Sequence, residues 1–151
     1  MTFHFITSGE KKKICEQLEQ QFGITKLPYL LIETGKERVR GFSGSLSREE
    51  LVELGSILHI EGVGCYLARN EHELRLSFDG IHLLKDQITK GIVDLTEAEM
   101  YEWIRGNDIA KEAERGTLIV RYNGDYVGCG KSTGTMLMNH VPKERRIKTR
   151  R

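Results

Sequence analysis

The residues best equipped for chemistry lie near the C-terminus, in Arg121-Tyr-Asn-Gly-Asp-Tyr-Val-Gly-Cys-Gly-Lys131 and Asn139-His-Val-Pro-Lys-Glu-Arg-Arg146. Lys131, Lys143, Arg145 and Arg146 are ammonium and guanidinium groups that suit phosphate oxygens, the guanidinium by matching two of them at once. Asn139 and His140 combine donors and acceptors suited to a base edge or a ribose hydroxyl. They are equally suited to holding the loop 132–142 in place through backbone bonds. Gly128, Cys129 and Gly130 would let a phosphate approach the main chain beside Lys131; alternatively, the two glycines mark a bulge or a corner. Gly130-Lys131-Ser132 superficially matches the end of a phosphate-binding P-loop. However, Asp125 stands five positions before Gly130, where that motif needs glycine, and no helix is expected to follow. No nucleophile stands beside an evident base. The chemistry indicated is the binding of a polyanion, without catalysis.

Charge distribution supports this reading. The chain has 151 residues and a formal net charge of +1. Yet Pro142 to Arg151 holds Lys143, Arg145, Arg146, Lys148, Arg150 and Arg151 against Glu144 alone, a local +5 that leaves −4 for the rest. Such asymmetry is the footprint of a polyanionic partner, although a solvated terminus would read the same way. Arg38, Arg40 and Phe42 place two cations and an aromatic ring on one strand face. With Lys11, Lys12 and Lys13 they would extend a basic surface or simply form a solvated one.

The remaining reactive types form no pattern. Cys15, Cys65 and Cys129 are widely spaced and flanked by apolar or glycine positions, as expected of reduced, buried thiols rather than a disulfide or zinc site. The five histidines show no metal-ligand spacing. Asp79, Asp86 and Asp94 are scattered, and sequence separation alone cannot make them a catalytic pair. No cofactor and no metal are expected. With 38% hydrophobic and 30% charged residues, the composition is that of a globular protein. No apolar run approaches the roughly 20 residues that span a bilayer, so no membrane role and a cytoplasmic location are expected. The start, Met1-Thr-Phe-His-Phe-Ile6, lacks a signal-peptide pattern.

The elements that must position these groups follow from periodicity and punctuation. Thr7 and Glu10 form a capping box before Ile14, Leu18 and Phe22, predicting a helix over 8–22 that Gly23 stops. Strands are expected at Tyr29–Glu33 and Arg38–Phe42, joined by the turn Thr34-Gly35-Lys36. Ser47 with Glu50 opens a short helix ending at Gly55. Strands at Glu61–Ala68 and Glu73–Phe78 follow, and then Gly91–Leu95. Thr96 and Glu99 begin a helix with Met100, Trp103 and Ile104 on one side, Trp103 being core. Thr117–Tyr122 and Asp125–Cys129 flank Asn123-Gly124, the strongest hairpin signal in the chain. The change to mostly strands near residue 57 predicts an α+β protein. A small α/β unit at 1–57 would pack on a compact β-barrel at 58–151 that ends in a basic tail.

Tyr122 to Lys131 followed by Asn139 to Arg145 resembles the C-terminal PUA-like domain of Sun-type (RsmF-like) RNA cytosine-5 methyltransferases. There a strand of the form Tyr-x-Gly-x-x-x-Gly-x-Gly-Lys precedes Asn-His-x-Pro-Lys-x-x-Arg, matching Gly124, Gly128, Gly130, Lys131, Asn139, His140, Pro142, Lys143 and Arg145. The resemblance covers residues 60–148. Residues 1–57 are similar, more loosely, to the pre-PUA domain of archaeal and eukaryotic ribosome-biogenesis factors of the Nip type, an arrangement typical of archaeal proteins. The resemblance implies a PUA-like mixed β-barrel binding structured rRNA or tRNA in ribosome biogenesis or RNA modification. It also implies a site along the barrel between its first helix and a neighbouring strand. The glycine-rich nucleotide loop and the Pro-Cys catalytic context of those enzymes are not found here. The expected roles are therefore RNA binding through Lys131, Asn139, His140, Lys143, Arg145, Arg146 and Arg40. An alternative is an adaptor that recruits a separate methyltransferase or ribosome-assembly protein; an RNA-modifying enzyme is the third reading.

Overall fold

The computed structural model describes residues 3–35, 37–57 and 64–148. Lys36 of the first turn, the expected strand start at Glu61 and the tail residues Arg150 and Arg151 lie outside them. Strand β1 (Phe3–Phe5) leads into helix α1 (Ser8–Phe22), followed by β2 (Leu30–Thr34), β3 (Arg38–Phe42) and α2 (Arg48–Ile57). Then come β4 (Cys65–Asn70), β5 (Leu74–Leu76), α3 (Phe78–Leu84) and β6 (Ile92–Asp94). The chain continues through α4 (Glu97–Trp103), β7 (Ile109–Ala110), β8 (Gly116–Tyr122), β9 (Asp125–Ser132) and β10 (Met136–Asn139), and a 3-10 turn at Lys143–Arg145.

Local chemistry explains most boundaries. The Thr7 hydroxyl accepts from the Glu10 amide, and Gly23 closes α1 in the left-handed conformation at φ 77°. Thr96 and Glu99 form a reciprocal capping box on α4. Asn123 and Gly124 both take positive φ, 50° and 88°, as a type I′ turn demands. Several expected boundaries shift. α2 runs past Gly55 to Ile57. The strand expected to reach Phe78 stops at Leu76, because the Ser77 hydroxyl accepts from the Gly80 amide and starts α3. Gly80 belongs in that helix because a Cβ there would stand 2.1 Å from the Leu67 carbonyl oxygen.

Two five-stranded sheets result. The first is antiparallel in the order β1-β2-β3-β4-β5, so it draws its last two strands from beyond residue 57. The second has the order β6-β8-β9-β10-β7, with β6 parallel to β8 and the rest antiparallel. It curls into an open half-barrel. Among the described residues β6 and β7 are not paired, and a gap of about 340 Å³ lies between β6 and residues 111–114. There the chain turns away, its Lys111 and Ala113 amides donating to the Thr135 and Gly134 carbonyls. One apolar core joins α1, α3 and the first sheet to Ile119 and Cys129 of the second. Another gathers Val93, Trp103, Leu118, Val120, Leu137 and Val141 under the half-barrel. No helix among the described residues is long and apolar enough to cross a membrane.

Candidate nucleic-acid interface

Two adjoining clefts lie where the first sheet meets the second. The larger, about 260 Å³, is bounded by Tyr66, Arg75, Leu76 and the α3 start at Phe78 on one side, and by Cys129, His140 and Arg145 on the other. The smaller, about 160 Å³, is lined by Glu71, Glu73, Arg75, Lys131 and His140 among others. Arg75 and His140 line both, and the Arg75 guanidinium donates to His140 Nδ1. A ring nitrogen that accepts there leaves the imidazole neutral, with its proton on Nε2. Burial, reinforced by the charge of Arg75, pushes the His140 pKa below the ordinary histidine value; Lys131 acts in the same sense, against Glu71 and Asp108.

Arg145 reaches back from the 3-10 turn to α3. Its Nη2 donates to Asp79 Oδ1 at 3.0 Å, and its Cζ lies 5.2 Å from the centre of the Phe78 ring. The carboxylates nearby are partly engaged: Glu73 accepts from the Thr117 amide and hydroxyl at 3.1 and 3.0 Å. The Cys129 thiol is buried and pushed up to about 12 by desolvation, so it stays protonated. Cys15 and Cys65 are half-buried free thiols.

Of the sequence-predicted residues, Lys131, His140 and Arg145 therefore converge on the two clefts. Lys143 is exposed at the start of the same 3-10 turn, outside both. Arg146 is half-buried; its Nε donates to the Val141 carbonyl at 2.9 Å, and its side chain lies over Gly106. Asn139 holds the chain exit together. Its Nδ2 donates to the Trp103 and Asn107 carbonyls at 2.8 and 3.1 Å, and its Oδ1 accepts from Val141 N at 2.8 Å. Arg40 lies outside both clefts, where Nη1 donates to the Gly64 carbonyl at 3.0 Å. Gly128 and Gly130 face Trp103 and its neighbours: a Cβ on Gly130 would meet the indole at 2.7 Å. Their strand is paired with β8 and β10, so the space they leave serves packing. Sequence reasoning missed Arg75, Tyr66 and Phe78. It also gave no hint that His4, Glu10 and Glu33 bring ligand atoms within 4.8 Å of one another. That grouping is created by the β1–β2 register, which sets His4 opposite Glu33.

Because folding lowers the His140 pKa, the unfolded chain takes up a proton there that the native protein resists. The associated stability is present above pH about 6.5 and is lost as pH falls below it, through the lower folded value. Urea denaturation at successive pH values should show a weaker decline on acidification in His140→Gln than in the unaltered protein. Equal declines would mean that another group carries the dependence.

The fold is that of PUA-domain proteins. It is similar to the structure of a conserved PUA domain protein from Thermoplasma acidophilum, with a TM-score of 0.59, 15% identity, and coverage of 91% of this chain and 93% of that one. Residues 90–147 match the methyltransferase RsmF PUA domain family, and this region is homologous to the PUA domain of RsmF-type rRNA methyltransferases. Ribosomal RNA small subunit methyltransferase F of Aeromonas hydrophila is 33% identical over 142 residues, covering 92% of this chain and 28% of that protein. Its counterpart in Aeromonas salmonicida is 34% identical over 90 residues, covering 58% and 19%. That in Vibrio atlanticus is 38% identical over 55 residues, covering 35% and 12%. The chain thus spans less than a third of the length of these relatives, and the matched family is their PUA domain, not a catalytic methyltransferase domain.

Proposed function

We propose that this protein is a non-catalytic RNA-binding module whose docking surface is the rim of the two clefts, through the cations Arg75, Lys131, Lys143 and Arg145 and the neutral His140, set among the carboxylates Glu71, Glu73, Asp79 and Glu144. The observation that carries this reading is the homology of residues 90–147 to a PUA domain of rRNA methyltransferases. The convergence of Lys131, Arg75 and Arg145 on adjoining clefts gives the reading its location. Phosphates would dock on these cations by charge-assisted hydrogen bonds, releasing counterions. Arg146 and Asn139 would act indirectly, by fixing the segment that presents Lys143 and Arg145. Structured rRNA is the RNA class we favour, since the relatives are named for rRNA; tRNA is the alternative. The setting would be cytoplasmic ribosome biogenesis or RNA modification, with a separate methyltransferase or assembly factor as a further partner.

Fluorescence polarisation of a labelled rRNA hairpin across a salt series tests the proposal. Changing Lys131, Lys143 and Arg145 together to Ala should weaken binding and reduce the slope of log affinity against log salt by about 2–3. An unchanged affinity and slope would remove this surface from RNA binding.

A further inference from the structure

We propose that the two clefts together hold one unpaired nucleotide, its base lying in the larger cleft against Phe78 and Tyr66 and its phosphate in the smaller against Lys131 and Arg75. This rests on the RNA-binding reading and adds to it the state of the RNA that is bound.

The larger cleft differs from a phosphate-docking surface in its lining. Leu76, Cys129, Val141 and Pro142 give it apolar walls, and Tyr66 and Phe78 place two aromatic rings at its border. A volume of about 260 Å³ admits a single base with part of its ribose, but not the broad end of a duplex. Bases released from a helix are characteristically received on aromatic rings and guanidinium planes. Both kinds of surface are present here as stacked pairs: Arg145, bonded to Asp79, lies over the Phe78 ring, which also packs on His82, and Arg38 lies over the Tyr66 ring at 5.8 Å. Polar readout falls to the wall shared by the clefts. The neutral His140 keeps an N–H donor on Nε2 while Arg75 fixes the ring through Nδ1. On the other side of that wall Lys131 and Arg75 are the cations. Glu73 is committed to Thr117 and Glu71 is paired with Arg69 Nε at 2.9 Å, which leaves Lys131 and Arg75 as the cations that would meet a phosphate at the wall.

Binding of the unaltered protein to three labelled RNAs decides the matter: a hairpin with a single-stranded loop, the same hairpin with every loop base removed, and a blunt duplex with as many phosphates. The intact loop should bind about tenfold more tightly than either of the others. Phe78→Ala should abolish most of that preference, with thermal unfolding reporting whether the variant is folded. If the abasic loop binds as well as the intact one, the base cleft is wrong while RNA docking stands. If none of the three RNAs binds, both readings fall.

Discussion

Replacing Trp103 with Ala should lower the unfolding free energy by about 3–5 kcal/mol, the range found when a large buried aromatic ring is removed from a core. Trp103 is fully buried, and its Nε1 donates to the Val127 carbonyl at 3.1 Å. The strand beside it cannot close the cavity. Gly128 and Gly130 have no side chains to offer, and β8 pairs with the backbone of both while β10 holds the other side of Gly130. The ring and the glycines thus form one packing unit, and the opposite change should also harm it: Gly130→Val would force a side chain into the indole and the Met138 carbonyl. Urea denaturation followed by circular dichroism would measure both variants. A loss below about 1 kcal/mol for Trp103→Ala would mean that the half-barrel core collapses around the gap.

The second large effect is expected at Asn139. Its change to Ala leaves the Asn107 carbonyl and the Val141 amide without their partner and takes one of two donors from the Trp103 carbonyl, which keeps the Gly106 amide, at the point where α4 ends and the basic exit begins. An unpaired buried polar group costs roughly 1–3 kcal/mol, and with the Val141 amide the more buried of the two left unpaired the expected loss is about 1–3 kcal/mol. A residue that only touched RNA would behave differently, leaving stability unchanged while affinity fell. Denaturation midpoints measured without RNA separate the two outcomes. An unchanged midpoint would make Asn139 a contact residue with no part in the scaffold.

What the sequence disclosed was local. Thr96 with Glu99, Thr7 with Glu10, and Asn123-Gly124 each act through neighbours within a few residues, and each forms the cap or turn its chemistry requires. Asp79-Gly80 carries no helical signal of its own but lies inside α3, where the close approach of the Leu67 backbone requires glycine. β7 and β10 passed unnoticed: two and four residues are too few to show alternation. The strand ending in Cys129 by expectation continues to Ser132, since β10 supplies a partner that local pattern cannot reveal. The cations Lys131 and Arg145 were legible from their motif. Arg75 lies within the strand expected at Glu73–Phe78 with nothing in its spacing to mark it, and only tertiary folding brings it to His140, 65 positions away. The same limit applies to β4 and β5. Both read as strands, but the sheet they join is settled by the pairing of β4 with β3 and of β5 with β4.

The larger cleft takes Tyr66, Arg75 and Leu76 from the first sheet, and Gly128 and Cys129 from the second, with His140 just beyond β10. Whatever settles there is gripped by both layers and acts as a staple across their seam. By linkage, occupancy would tighten the docking of one layer on the other, and loosening that docking would weaken the grip in equal measure. Recognition at this cleft would thus be a joint property of the two layers, which neither would retain after separation.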